Sequence, residues 1–87
     1  MNLSRSDVMD AEFTDTFDCP IARLLRRNGF PVAVVSGNFW MDRAGLVYSF
    51  SPTLQQLSDD LARETDRAQL ERRPANFSQF VGRKVSL

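Results

Sequence analysis

The stretch DCPIARLLRRNGF, residues 18–30, writes both ends of a helix into the chain. Asp18 reads as the N-cap, with Cys19 and Pro20 in the first turn, where proline is at home because that N–H has no helical partner. Ile21, Leu24 and Leu25, with Ala22 beside them, recur at helical spacing and form one apolar stripe. Arg23, Arg26 and Arg27 fall on the other side and towards the C-terminus, where positive charge complements the helix dipole. Asn28-Gly29 supplies a left-handed stop, and Phe30 is placed to fold back on the last turn. A helix with a single apolar face and defined ends needs a second layer to cover that face, and Pro31 sends the chain onward in extended form.

The following residues, PVAVVSGNFWMDRAGLVYSF, provide that layer. They hold three β-prone runs, 32–35, 38–42 and 45–50. The breaks between them, Ser36-Gly37 and Asp42-Arg43-Ala44-Gly45, have hairpin-turn chemistry. The spacing predicts an antiparallel three-stranded meander. Strict alternation puts Val32 and Val34 on one face and Ala33 and Val35 on the other, and sets Leu46, Tyr48 and Phe50 against Val47 and Ser49. Phe39, Trp40 and Met41 are consecutive, so no single strand face hides all three.

A second helix start follows at Ser51-Pro52, with Ser51 as N-cap and Thr53…Gln56 as an alternative capping box. Leu54, Leu57 and Leu61 give the buried stripe, and Asp59, Asp60, Arg63, Glu64 and Asp66 are expected to face water. Pro74 disfavours helix in the residue before it, so the helix is expected to fray between residues 66 and 73. The tail PANFSQFVGRKVSL carries Phe77, Phe80, Val81 and Val85 as apolar hooks. It reads as a docked segment, with residues 84–87 as an edge strand. Ahead of all this, SRSDVMDAEFTDTF reads as a further amphipathic helix, with Ser4 or Ser6 as cap and Met9, Phe13 and Phe17 recurring beside Val8. The expected fold class is α+β: N-terminal helices, a three-stranded antiparallel meander, a C-terminal helix and a docked tail. The 87 residues form one domain, with freedom expected at residues 1–5 and 82–87.

Charge is balanced overall but unevenly placed: residues 1–20 carry −4, 21–50 carry +3, 51–66 carry −3 and 67–87 carry +4. Blocks of alternating sign pair within the fold or attract a second copy. A chain this short buries only about 60–65% of the surface of its unfolded form, so it gains stability from a partner or from dimerising. The single cysteine makes no internal disulfide, and no signal-like or membrane-length apolar run is present, so a cytoplasmic location is expected.

The chain has no histidine, which removes the commonest general base, the usual zinc ligand and every Ser-His or Cys-His pair. No phosphate-cradling glycine motif is present. Asp59-Asp60 sit side by side on a solvated helix face, and the acidic N-terminal run lacks the glycine and final glutamate of a calcium loop. Cys19 reads as a small, half-buried apolar residue. No enzyme activity, metal or other cofactor is expected.

Two clusters remain. Phe39, Trp40, Met41 and Tyr48 are of the residue types enriched where proteins meet; they mark either a protein-binding site or a core covered on both sides, by helices and by the Phe77/Phe80 tail. Arg23, Arg26 and Arg27, with Arg72 and Arg73, form a candidate basic patch for nucleic acid, although the pI of about 6.1 is well below that of a dedicated binder.

The series DCPIARLLRRNGF, a valine-rich hairpin with turns at Gly37 and Gly45, SFSPTLQQLSDDLAR and PANFSQF resembles a group of small uncharacterised proteins of phages and GC-rich bacteria, over residues 18–81. This chain departs from the group by an extra residue or two in the 42–45 turn and a longer tail after Phe80. The resemblance implies a compact accessory protein of phage or prophage origin, and no activity comes with it. The leading expectation is a non-enzymatic module that binds a host protein and inhibits or modulates it, in the manner of an anti-defence factor. The alternatives are a nucleic-acid-binding regulator and a self-assembling structural or virion protein, with a homodimer as a further possibility.

Overall fold

Two helices, three consecutive strands and a third helix follow one another along the described residues of the chain. The computed structural model describes residues 1–9, 11 and 18–86. Its elements are α1 (Arg5–Met9), α2 (Pro20–Arg27), β1 (Val32–Val35), β2 (Phe39–Asp42), β3 (Val47–Ser49), α3 (Pro52–Glu71) and a short 3₁₀ turn, Phe77–Phe80. The three strands form one antiparallel sheet in the order β1-β2-β3, so the fold is α+β.

Local chemistry explains each boundary. At α1, Ser4 Oγ accepts from the Asp7 N–H and Asp7 Oδ2 accepts from the Ser4 N–H, a reciprocal cap. Val8 and Asp7 face inward while Met9 is exposed, so the apolar face of this helix is not the Met9 stripe expected. Phe13 and Phe17 lie outside the described residues.

Helix α2 is capped by Cys19, whose Sγ accepts from the Ala22 N–H at 3.5 Å. Asp18, expected as the cap, instead forms an ion pair with Arg23 at 2.9 Å. The helix ends as foreseen: Gly29 has φ 91°, its N–H donates to Arg26 O, and the Phe30 N–H donates to Leu25 O. This is the double bond of a Schellman stop.

The first strand departs from strict alternation. Val32 pairs with Asp42 but Val34 pairs with Met41, which leaves Ala33 as an extra residue. This bulge turns Val32 and Val35, not Val32 and Val34, towards the core, where both are buried. The turn between β2 and β3 is a three-residue loop closed by the Gly45 N–H on Asp42 O, with Gly45 at φ 86°.

Helix α3 runs twenty residues to Glu71, inside the 66–73 window where its end was expected. Ser51 Oγ caps its start by accepting from the Leu54 N–H at 3.2 Å. At its end Arg72 takes the left-handed conformation, φ 54° and ψ 46°, and the Arg73 N–H donates to Ala68 O. Glu64, expected in water, is 4% exposed. Its Oε2 lies 2.6 Å from Arg73 Nη1 and accepts from the Asn76 N–H at 2.7 Å. That pair holds the last turns of α3 against the start of the tail.

The core joins Ile21, Ala22, Leu24 and Leu25 of α2, Val32 and Val35 of β1, Trp40 of β2 and Leu54, Leu57 and Leu61 of α3. Leu3 and Val85 complete it from the two ends of the chain, with Phe77 and Phe80 packed at its margin. The tail pairs with the N-terminal residues rather than with the meander: the Leu3 N–H donates to Arg83 O, the Gly82 N–H to Leu3 O and the Val85 N–H to Met1 O, at 2.7–2.9 Å. Val81, expected as a hook, is exposed.

Candidate functional site

The aromatic cluster read from the sequence is divided between core and surface. Trp40 is an interior residue, 5% exposed. Its ring meets Phe30 edge-on at 5.9 Å and carries Tyr48 stacked on it at 4.3 Å. Phe30 and Tyr48 thus cover it, while Phe77 and Phe80 pack at the margin of the same core. Phe39 and Met41, its neighbours on β2, are half-buried. Tyr48 is 39% exposed. Phe30, Pro31, Trp40, Tyr48 and Phe50 line an open cleft of about 460 Å³ on this face.

One carboxylate organises the cleft edge. Asp42 is buried at the end of β2, and its Oδ1 accepts from the Ala44 and Leu46 N–H groups at 2.9 Å each. Its Oδ2 accepts from the Tyr48 hydroxyl at 3.0 Å. The Leu46 N–H, followed by the Tyr48 hydroxyl and the Ala44 N–H, holds this carboxyl below the usual range against the opposing effect of burial. The same bond pushes the Tyr48 hydroxyl up. Tyr48 is thus fixed at both ends, by a ring stack and by a charge-assisted hydrogen bond.

Strand β3 was expected to alternate between buried and exposed residues over 45–50. It is shorter, Val47–Ser49, and all three residues are exposed. Leu46 and Val47 are each about 60% exposed. The strand lies at the sheet edge, paired to β2 on one side only. The Asp42 N–H donates to Leu46 O and the Phe50 N–H to Asn38 O, which places the mutually bonded pairs at even-numbered positions of β3, with Trp40 opposite Tyr48. The main-chain groups of Val47 and Ser49 consequently point away from the sheet. From Gly45 to Ser51 there is no charged residue and no proline, the usual devices that guard an edge.

The other edge is guarded. Strand β1 is bulged at Ala33, and Arg26 Nε donates to Val32 O at 3.1 Å. Sequence reasoning named Tyr48 but missed Leu46, Val47 and Asp42. The signal was present in the uncharged run after an Asp-x-Ala-Gly turn.

The candidate basic patch is largely neutralised in place. Arg23 is paired with Asp18. Arg27 makes a two-pronged contact with buried Asp7, at 3.0 and 3.2 Å. Arg73 is paired with Glu64 and Glu71, and Arg26 is held by the Val32 carbonyl. Only Arg72 of the five has no partner among the described residues.

Cys19 is half-buried, and burial pushes its thiol up against the opposing N–H of Ala22. Among the described residues no three His, Cys, Asp or Glu side chains are grouped to hold a metal ion. No helix among them is long and apolar enough to cross a membrane. No family model, no curated protein and no solved structure matches the chain.

Proposed function

We propose that this chain is a non-enzymatic protein-interaction module whose docking surface is the β3 side of the sheet. In the context implied by its sequence, it is a phage accessory factor acting in the host cytoplasm. It occupies the surface of a host protein and so inhibits or modulates it. The observation that carries this reading is β3 itself: an edge strand exposed along its whole length, bearing Val47 and Tyr48 with exposed Leu46 leading into it, without charge or proline to guard it. Partners add an extended segment to such an edge, with main-chain bonds giving affinity and neighbouring pockets giving specificity. The Phe30/Trp40/Tyr48/Phe50 cleft is the neighbouring pocket here.

The test is capture of a stoichiometric partner by the immobilised full chain, compared with Leu46→Lys. Leu46 is a surface residue, so the fold is expected to survive with unchanged far-UV circular dichroism. Partner retention is expected to fall at least tenfold. A partner held equally by both proteins would overturn the site, and turnover of a substrate by the purified chain would overturn the non-enzymatic reading.

A further inference from the structure

We infer that the open edge of β3 also pairs with β3 of a second copy of this chain, antiparallel and centred on Tyr48, to give a dimer with one continuous six-stranded sheet. The inference rests on the reading of β3 as a docking edge and names an occupant for it.

The edge makes three demands, and its own sequence meets each. The outward main-chain groups belong to Val47 and Ser49, as the bonded positions of the β2–β3 ladder require. A two-fold axis through Tyr48 sets Val47 of one copy against Ser49 of the other, twice, so that all the outward N–H and C=O groups of the two strands find partners. The pairing carries no electrostatic penalty. The segment from Gly45 to Ser51 is uncharged, whereas like charges opposed across strands are destabilising. On the cleft face, Tyr48 meets its own counterpart at a non-hydrogen-bonded position, where side chains approach most closely. Each Tyr48 already lies flat on Trp40, so the aromatic layer of one copy continues into the next.

Closure follows from the asymmetry of the sheet. With β1 bulged and its Val32 carbonyl taken by Arg26, β3 is the edge left open. One isologous contact per chain gives a closed dimer and not a fibre. A host segment and a second copy compete for the same row of main-chain groups.

The register dictates the experiment. In Val47→Lys/Ser49→Lys, each lysine faces a lysine of the other copy. In Val47→Lys/Ser49→Glu, each lysine faces a glutamate. Both positions are exposed, and circular dichroism checks that both proteins fold. Sedimentation of the full-length wild type, from about 1 to about 100 µM, is expected to show a concentration-dependent rise to twice the 9.9 kDa chain mass. The dilysine protein is expected to remain monomeric and the Lys/Glu protein to dimerise. A wild type that stays monomeric throughout overturns the inference, as does equal dimerisation of the two variants. Either failure is distinguishable from failure of the docking edge itself, which is read from partner capture by the Leu46→Lys chain.

Discussion

Glu64 shows how much one side chain can do in a chain of this size. Its carboxylate is buried on α3, and Arg73, followed by the Asn76 N–H, lowers its pKa from 4.5 to about 2. The folded form therefore holds Glu64 ionised at pH values where the unfolded form has taken up a proton. The resulting stabilisation is complete above about pH 4.5 and is lost as pH falls towards about 2. Urea midpoints measured across that window are expected to fall for the wild type and to fall less steeply for Glu64→Gln. Identical slopes would remove Glu64 from the acid limb. Asp42, whose carboxyl is also held low, accounts for part of the slope that remains. The position of Glu64 on α3 gave no hint of this role. Its neighbours Asp59, Asp60 and Asp66 look alike in the sequence, and only the return of the chain after Pro74 brings Arg73 and Asn76 onto Glu64.

At the level of elements, the ends of helices were more legible than their lengths. Caps and stops act over three or four residues, so Ser51-Pro52 and Asn28-Gly29 could be read directly. Even there, Cys19 took the place assigned to Asp18, because Arg23, one turn along, pairs with the aspartate. The end of α3 depends on distant contacts: Ala68 is buried, and the Glu64–Arg73 pair holds the final turns in place. The helix stops at Arg72, a non-glycine residue in the left-handed region, a conformation that costs an L-residue about 1–2 kcal/mol. Arg72 is exposed, so Arg72→Gly is expected to relieve that strain and raise the thermal midpoint by roughly 4–8 °C per kcal/mol regained. A lowered midpoint would show that the side chain contributes more than its conformation costs. The bulge in β1 belongs to the same class of finding. A valine run has no preferred face of its own, and it was the packing of Val32 and Val35 against α2 and α3 that selected one.

For the whole molecule, closure of the core by the two chain ends matters most. Leu3 and Val85 are 1% and 2% exposed, and their backbones are bonded across the join. The charge blocks follow the same logic. Asp7 of the acidic N-terminal block meets Arg27 of the basic one, and Asp60 meets Arg83, so among the described residues blocks of opposite sign meet within one chain. Leu3→Ala leaves a cavity where α1, α2 and the tail converge, and a loss of about 2–5 kcal/mol is expected. That is a large fraction of the roughly 4–13 kcal/mol available to a domain of this length. Denaturant titration checks it; a loss below about 1 kcal/mol would mean that the ends are not integral to the core.

Read along the chain, local patterns were enough to establish the α+β class, the order of the elements, both main helix starts and the hairpin turns, because capping, turn chemistry and hydrophobic period act between near neighbours. They could not show which of Phe39, Trp40 and Met41 lies inside, that β3 is exposed on both faces, or that the chain ends meet. Those outcomes depend on contacts between residues tens of positions apart, where burial of one side chain is settled by what else fills the space. The open edge of β3 arose in the same way, from a strand that the rest of the fold left uncovered.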